Sequence, residues 1–402
     1  MESTASRPTL EGVKVVEFAH LIAGPIAGTL MADLGADVVH VEAPQGGDAA
    51  RRAGPAKDGV GLWWKVAGRN KRSVTIDLRG KEGQDLAREL VAWADVVITN
   101  FRYDTLVKWG LDWESLKAVN NQLVMLQITG HGATSTLRNA PGFGKVGEAM
   151  SGVVQITGFP DGPPVHTGFS HADTVTGLMG AFAVSAALTR KSRPDFDGEW
   201  IDLALYDTLY RLIEWQVIVH DQLGQVPTRA GNSLFVAPGA IVNSYLTKDG
   251  RWLTVTSATP QSVRNIATLL GESTEDFATV DLQNENARKL DAGLRTYIAE
   301  RTVEDCMAAM NAVEVVASPI YSVEDILEDQ TYQERESLIR IDDSDLGSVL
   351  MQGVVPKMHQ HPGSVWRPGP QLGEDNELVF RTYLGMGATR YEALAQSGVI
   401  LP

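Results

Sequence analysis

The sequence predicts an α/β protein with an open parallel sheet and a smaller α+β domain. Three features predict this class: apolar runs of strand length alternate with helical patterns up to Gly130, a loop-rich stretch follows, and the pattern changes again near Ala230. The chain has 402 residues, of which 44% are hydrophobic and 21% are charged. That composition is close to the globular average, so extended disorder is not expected.

The first half of the chain is predicted to repeat a strand–helix–strand unit. Buried strands are predicted at Val13–Phe18, Val38–Val41, Ser73–Leu78, Asp95–Asn100 and Leu123–Gly130. Helical patterns are predicted between them, at 23–36, Gly83–Ala94 and Trp113–Val119. Parallel strands need crossover connections of this kind, so the units indicate an open α/β domain.

A loop-rich segment and a long helix follow the last of these strands. Residues 130–168 are rich in Gly, Pro, Ser and Thr, and loops of this kind commonly carry functional residues. Asp173 is predicted to open the long helix, where Asp, Ser or Thr suits the N-cap. The run 200–224 predicts a strand followed by another long helix.

The change of pattern after residue 225 predicts a division into domains. From Ala230 to Ser322 a strand pair around the turn Lys248–Arg251 precedes helical runs, which indicates a smaller α+β domain. We therefore expect residues 1–225 to form the first part of a large domain, 226–325 a small domain, and 326–402 a return to the large domain.

Charge and cysteine content narrow the classes of ligand. Lys plus Arg number 35 against 50 Asp plus Glu, a net charge of −15, so nucleic acid is not an expected partner and an anionic ligand needs a local basic site. Cys306 is the one cysteine, which excludes an internal disulfide, and no metal site is predicted. No apolar signal segment or membrane-length run occurs, so we expect a cytoplasmic protein without a membrane partner.

Common catalytic and nucleotide motifs are absent or out of place. The segment Gly142–Gly147 matches G-x-G-x-x-G by letter, but it lies twelve residues after the nearest predicted strand, which argues against a dinucleotide site. The sequence holds no G-x-S-x-G elbow, P-loop or H-E-x-x-H helix. The sequence therefore does not support a hydrolase, a P-loop protein or a zincin.

Asp173 is the carboxylate that best combines position and chemistry. At a helix start it is either a plain N-cap or an ionised carboxylate able to act as a covalent nucleophile. The same helix start offers backbone N–H groups to a developing oxyanion. Local sequence leaves both alternatives open.

Several segments, in order across nearly the whole chain, together resemble the class III CoA-transferase family, the formyl-CoA and carnitine CoA-transferase group. They are LEGVKVVEFAHLIAGP, LMADLGADVVHVEAPQGGDAAR, GRNKRSVTIDLRGKEG, ADVVITNFR, the Asp173 helix and DGEWIDLALYDTLY. The resemblance implies a Rossmann-like large domain that binds CoA and holds both termini, a small inserted domain, and an interlocked homodimer. It also implies that Asp173 is the catalytic nucleophile.

The resemblance further implies binding residues. Contacts to CoA are expected from Lys71, Arg72, Asn100, Phe101 and Lys108, with Arg51 and Arg102 behind them; a solvated basic rim is the structural alternative. The substrate pocket is expected to be shaped by His20, Ile22, Phe143, Glu148 and His171, which would otherwise merely pack two domains together. No permanently bound cofactor is implied, because the CoA thioester is a substrate.

The same resemblance bears on which acid and which reaction are expected. Ala43 and Pro141 stand where the oxalate-specific branch has basic residues, and Ile22 replaces a Gln, so an acid with more hydrocarbon than oxalate is favoured. Related racemases need a His and Asp pair where this chain has Phe143 and Gly144, so transfer of CoA to a carboxylic acid is favoured over epimerisation. A racemase and a noncatalytic CoA-binding subunit of a heteromeric transferase remain the alternatives, with a nicotinamide dehydrogenase a distant fourth.

Overall fold

The computed structural model of the chain describes residues 7–233, 237, 239–257 and 259–402. It divides into two compact units. The first comprises the residues up to Val153 together with Thr167–Glu214 and Tyr332–Pro402, and the second comprises Val154–His166 and Trp215–Thr331. The second unit thus takes in the segment 154–166, which the division expected from the sequence placed in the large domain.

Strands of the described residues form one large sheet and three small ones. They are β1 (Lys14–Phe18), β2 (Asp37–Glu42), β3 (Ala56–Lys57), β4 (Val60–Gly61), β5 (Lys71–Thr75), β6 (Val96–Thr99), β7 (Val124–Thr129), β8 (Glu199–Ala204), β9 (Ile241–Leu246), β10 (Trp252–Ser257), β11 (Ala317–Pro319), β12 (Leu338–Asp343) and β13 (Gly347–Gln352).

Helices connect these strands and cover the large sheet. In the described part of the chain they are α1 (Ala23–Asp33), α2 (Leu62–Ala67), α3 (Lys81–Trp93), α4 (Tyr103–Trp109), α5 (Trp113–Val119), α6 (Gly144–Met150), α7 (Val153–Ile156), α8 (His171–Arg190), α9 (Leu205–Leu212), α10 (Trp215–Leu223), α11 (Pro260–Leu270), α12 (Val280–Ala299), α13 (Val303–Ala312), α14 (Val323–Glu328), α15 (Gln330–Glu334) and α16 (Ala388–Gln396). Residues Leu378–Tyr383 form a π-helical segment.

The large sheet of the first unit has six parallel strands in the order β5-β2-β1-β6-β7-β8. The chain winds outward from β1 in one direction and then returns to wind outward from β6 in the other. In such a sheet, the carboxyl ends of β1 and β6 diverge into a crevice that commonly binds ligands. The order is that of a Rossmann-like sheet, so the predicted α/β class is confirmed.

Both faces of this sheet are buried, which explains the continuous apolar strands. Val15 packs with α1 and α8 on one face, while its neighbour Val16 packs with α3 and α5 on the other. Gly177 of α8 lets the two helices of the first face approach closely, because a β-carbon there would lie 2.7 Å from Ile26.

The tail of the chain protects the free edge of the sheet. Asp375 accepts the backbone N–H of Ser73, and Asn376 accepts that of Thr75, both on the edge strand β5. These side chains satisfy backbone donors that an exposed edge would offer to another chain.

The second unit has a core of its own. Strands β9, β10 and β11 form an antiparallel sheet in the order β11-β10-β9. Tyr245 and Leu253 of this sheet pack against Ile266, Leu290 and Leu294 of α11 and α12. The predicted strand pair around Lys248–Arg251 is present as β9 and β10.

Two helix predictions need correction. The long helix begins at His171 with Ser170 as its N-cap, so Asp173 is its third residue and not the cap. The single helix predicted within 200–224 is broken into α9 and α10, because the backbone at Ile213 leaves the helical region. By length and composition α8 is the one described helix that could cross a membrane, a test that core helices of water-soluble proteins also pass.

Candidate active site

A cavity of about 90 Å³ lies at the crevice between the carboxyl ends of β1 and β6. The loop after β1, the loop after β6 and the end of β7 form its wall, and the start of α8 closes it. Its lining residues are His20, Leu21, Ile22, Ala23, Asn100, Ile128, Thr129, Gly130, Gly142, Phe143, Asp173 and Leu205. The structure therefore brings Asp173 together with His20, Ile22 and Phe143, which were predicted to shape the substrate pocket, and with Asn100, which was predicted to contact CoA.

The carboxylate of Asp173 lies directly against Gly144. A β-carbon placed on Gly144 would lie 2.0 Å from Asp173 Oδ2. No side chain fits at position 144 unless Asp173 moves. Gly144 therefore differs from the Asp of the racemase pair in two ways: it has no titratable group, and it leaves room for the Asp173 carboxylate.

The other glycines of the Gly142–Gly147 segment are explained by packing. A β-carbon on Gly142 would lie 2.7 Å from Gly130 Cα, and one on Gly147 would lie 2.8 Å from Leu205 Cβ. At both positions the absence of a side chain allows the tight packing that forms the wall of the cavity. They account for the glycine pattern without a dinucleotide.

Burial raises the pKa of Asp173 to about 6. The nearby carboxylate of Glu148 raises this pKa further, and the ammonium of Lys145 lowers it. At neutral pH most Asp173 side chains are still ionised, and their oxygen is more basic than that of an ordinary aspartate. A partly desolvated carboxylate of this kind suits a nucleophile.

Glu148 and His171 support the wall of the cavity and do not line it, which corrects their predicted place. The fully buried Glu148 Oε1 accepts the backbone N–H of His171 at 3.2 Å. Lys145, which the sequence analysis missed, donates to both oxygens of Glu148 at 3.0 Å. Its spacing three residues before Glu148 on a helix was the available signal.

The loop after β1 is fixed by side chains from two other elements. The amide of Asn100 accepts the backbone N–H of His20 at 3.1 Å and donates to its carbonyl at 2.7 Å. Leu21 has φ +65°, and its N–H donates to both oxygens of Asp48. Asn100 thus acts here by holding the pocket loop.

Lys71 is buried within the sheet, which corrects its predicted contact with CoA phosphate. Its ammonium donates to Glu17 Oε1 and Oε2 at 2.9 and 3.0 Å and to the Pro25 carbonyl at 2.7 Å. All three donors are therefore used inside the protein. Glu17 also contacts His40 Nδ1 at 2.5 Å, and His40 Nε2 lies 3.3 Å from Asp48 Oδ2.

Arg51 and Arg72 are likewise paired within the protein. Arg51 donates from Nε and Nη2 to Glu42 at 2.6 Å each, and its guanidinium lies 4.0 Å from the centre of the Trp64 ring. Arg72 donates to Asp37 at 2.8 Å and keeps about a quarter of its side chain exposed. The guanidinium of Arg51 is therefore paired with the buried carboxylate of Glu42, whereas that of Arg72 remains partly accessible to solvent.

Arg102 and Lys108 are the predicted CoA contacts that face solvent. Both are exposed, and within the described residues neither has an ion-pair partner. Phe101, which precedes Arg102 in the chain, has its ring 5.3 Å from that of His20 and 5.1 Å from that of Trp109, the residue after Lys108. Unpaired cations close to the cavity loop suit an anionic ligand.

A larger cavity, of about 910 Å³, is lined by residues 334–336, the first part of β12 and residues of the segment 353–365. It shares no lining residue with the cavity around Asp173. In the described part of the chain, no group of three or more His, Cys, Asp or Glu side chains is placed to hold a metal ion.

Comparisons with known proteins extend over the whole fold. The family described as CoA-transferase family III matches residues 10–376. The succinyl-CoA–D-citramalate CoA-transferase of Chloroflexus aurantiacus is 37% identical over 392 residues, 96% of each chain. The succinyl-CoA–L-malate CoA-transferase beta subunit of the same organism is 35% identical over 409 residues, 100% of each. The crystal structure of a CAIB/BAIF family protein from Brucella suis has a TM-score of 0.81 at 33% identity and covers 94% of this chain and 100% of that one.

Proposed function

Since this chain belongs to the CoA-transferase family III, we propose that Asp173 is the nucleophile with which it moves CoA from an acyl-CoA donor to a carboxylic acid. One observation carries the proposal. Among the described residues that line the cavity between β1 and β6, Asp173 is the one carboxyl group. Its raised pKa leaves it ionised at neutral pH with a more basic oxygen.

The reaction follows from four exchanges at carbonyl carbons. An Asp173 oxygen attacks the donor thioester carbon, the C–S bond breaks, and a mixed anhydride and CoA thiolate form. The thiolate attacks Cγ of Asp173, which releases the donor acid as a carboxylate and leaves an aspartyl-CoA thioester. The acceptor carboxylate attacks Cγ and releases the thiolate, which then attacks the acceptor's acyl carbon to give the new thioester and restore Asp173. Each step exchanges one acyl bond for another, so no redox partner or net proton is needed.

The size of the cavity supports this chemistry. It has room for only a few water molecules, which the acyl group of a substrate would displace. Both the anhydride and the thioester hydrolyse if water reaches them. The bulk of CoA must lie outside, with its thiol end reaching Asp173.

We propose that the phosphates of CoA bind at the exposed Arg102 and Lys108. Arg102 follows Phe101 in the chain, and Lys108 precedes Trp109; the ring of Phe101 lies 5.3 Å from that of the pocket residue His20 and 5.1 Å from that of Trp109. A chain with a net charge of −15 needs such a local site to hold a ligand with several phosphate charges.

For the substrates we propose succinyl-CoA as donor and a C4 or C5 dicarboxylic acid as acceptor. The two relatives described above are named for succinyl-CoA with citramalate and with malate, which are acids of this kind. The apolar wall formed by Ile22, Ile128 and Leu205 supports an acid with a hydrocarbon segment next to its reacting carboxyl group.

We also propose that the active form is a homodimer. Leu178 and Phe182 of α8 and Tyr210 and Leu212 of α9 are each about half or more exposed, a large apolar surface for a water-facing helix pair. A second copy that covers these helices would bury it. Light scattering should give twice the 43.5 kDa chain mass; a monomer at micromolar concentration would contradict the proposal.

Chemical trapping of the intermediate tests the nucleophile. After incubation with succinyl-CoA, hydroxylamine should convert the Asp173 thioester to a hydroxamate that peptide mass spectrometry locates. Asp173→Ala should lose this label and lower exchange by about a thousandfold or more. Asp207, the third residue of α9 as Asp173 is of α8, provides the matched control: Asp207→Asn should keep both label and exchange. Full exchange by Asp173→Ala would exclude the mechanism.

Two measurements separate the alternative functions. A noncatalytic subunit predicts that the purified chain alone neither exchanges CoA nor becomes labelled. A racemase predicts entry of solvent deuterium at the α-carbon without any acceptor acid, which the steric fit of Asp173 against Gly144 disfavours.

A further inference from the structure

Lys145 of α6 holds the loop that leads into α8. Its ammonium donates to the carbonyls of Thr167 and Phe169 at 3.0 and 2.9 Å and to both oxygens of Glu148 at 3.0 Å. An ammonium has three protons, so these four acceptors use all of its donors. Lys145 is therefore occupied by the protein, although half of its side chain is exposed and it lies near the nucleophile.

Glu148 of the same helix accepts the first N–H of α8. The N-cap residue Ser170 makes no side-chain capping bond, and the His171 N–H is shared between the Phe169 carbonyl at 2.9 Å and Glu148 Oε1 at 3.2 Å. The first N–H groups of a helix have no partner within the helix, so an external carboxylate helps to orient that end. Glu148 is fully buried, which fixes its position.

Gly144 completes the contact, because the Asp173 carboxylate rests on it. One short segment thus touches the loop before α8, its first N–H and the nucleophile itself. From this geometry we infer that Lys145 and Glu148 are positioning residues that set the place and the basicity of Asp173. The inference rests on the proposed role of Asp173 and adds residues that work through it.

The two side chains act on Asp173 with opposite charges. Glu148 raises the pKa of Asp173 and Lys145 lowers it. The other titratable groups around Asp173 are His20 across the cavity and His171 on its own helix. Removal of one partner leaves the charge of the other uncompensated, so the two removals should move the pKa of Asp173 in opposite directions.

The test is the pH profile of kcat/KM for succinyl-CoA in Lys145→Met, Lys145→Arg and Glu148→Gln. In the native chain the acid limb should lie near pH 6. It should rise by about 0.5 to 1 pH unit in Lys145→Met and fall by about as much in Glu148→Gln. Lys145→Arg keeps the charge and should stay near the native limb. A purely structural defect would lower the activity of a variant but would not move the acid limbs of Lys145→Met and Glu148→Gln in opposite directions.

Two controls make the outcome decisive. Lys117→Met removes a partly exposed ion pair with Asp197 on another element and should leave the limb unchanged. Hydroxylamine labelling of Asp173 in each variant separates the two hypotheses. If Asp173 is labelled but the limbs of Lys145→Met and Glu148→Gln coincide with the native one, the positioning inference is wrong and the nucleophile stands. If the native chain is not labelled at Asp173, the proposed function fails first.

Discussion

Gly144 constrains the position of the Asp173 carboxylate, because that carboxylate packs directly against it. A β-carbon at this position would lie 2.0 Å from Asp173 Oδ2, so Gly144→Ala must displace the carboxylate. Misplacement of a reacting atom by about 1 Å commonly costs about a hundredfold in rate. We expect kcat to fall by about that factor, with little change in KM for acyl-CoA, measured by steady-state exchange.

Gly168→Ala is the matched control. Gly168 lies in the loop before α8, and a β-carbon there would meet nothing within 4 Å. This variant should keep native kcat. Equal activity in the two variants would show that the close contact at Gly144 does not constrain the nucleophile.

Single residues also show how far the sequence could predict the site. Asp173, His20, Ile22 and Phe143 were found because they lie in segments that match a family in order. Lys71 was misassigned because its partner, Glu17, lies 54 residues away, and a lysine beside an arginine suggests a surface rim. Only the pairing of β1, β2 and β5 brings these charges together in the interior.

The strands themselves were predictable because parallel strands are buried on both faces. The predicted Val13–Phe18 differs from β1 by one residue at its start, and Leu123–Gly130 differs from β7 by one residue at each end. The predicted Ser73–Leu78 lies two to three residues later than β5. The start of α8 was not predictable, because its first N–H is bonded to Glu148, more than twenty residues earlier, as well as to the nearby Phe169 carbonyl. The local sequence shows the hydrophobic period of a strand or helix. Contacts with other elements determine where that strand or helix begins and ends.

The strands β1 and β2 together hold the pocket loop through His40. His40 links Glu17 to Asp48, and Asp48 holds the N–H of Leu21. Burial alone lowers the pKa of His40, but the carboxylates of Glu17, Asp48 and Glu42 more than offset it and raise the pKa to about 9. The stabilisation by the charged ring is thus fully present below pH 6.5 and is lost as the pH rises through 9.

His40→Gln should therefore destabilise the protein in a pH-dependent way. The shift from 6.5 to about 9 corresponds to about 3 kcal/mol in the free energy of unfolding at pH 6, and the loss should shrink toward pH 10. Urea unfolding at both pH values measures it, with the exposed His220→Gln as a variant expected to cost nothing. A loss of the same size at pH 6 and pH 10 would show that the ionised ring is not the origin.

The net charge of the whole molecule makes the two exposed cations near the cavity unusually important. A net charge of −15 disfavours the binding of a polyanion such as CoA away from a local basic site, and Arg102 and Lys108 are, among the described residues, the unpaired cations closest along the chain to the pocket residue Asn100. Lys108→Ala should raise KM for acyl-CoA by about fivefold to tenfold at low salt, with kcat nearly unchanged. Lys289→Ala, on the second unit, should change neither, and an unaltered KM in a Lys108→Ala and Arg102→Ala double variant would remove this site.

The acceptor acid is limited by the balance of charge and volume in the molecule's cavity. Among the described lining residues His20 is the one group able to carry positive charge, and burial lowers its pKa, so it is neutral at pH 7. Oxalate would place both carboxylates in this small cavity, next to Asp173 and without a cation among the described lining residues, which is costly. A C4 or C5 diacid can instead bring one carboxylate to Asp173 and leave the other at the solvent-facing mouth.

We therefore expect an exchange screen with succinyl-CoA to give the highest kcat/KM with C4 and C5 diacids, and a value for oxalate at least tenfold lower, roughly the effect of one charge left unpaired. Mass spectrometry of the acyl-CoA products reads all acceptors at once. Ile22→Gln replaces an apolar wall residue by a hydrogen-bond donor and should raise the relative rate with oxalate, while the exposed Val226→Gln of the second unit should not. Fastest turnover with oxalate by the native chain would contradict this account of selectivity, because the second carboxylate of oxalate would then be bound without the cation that the described lining residues lack.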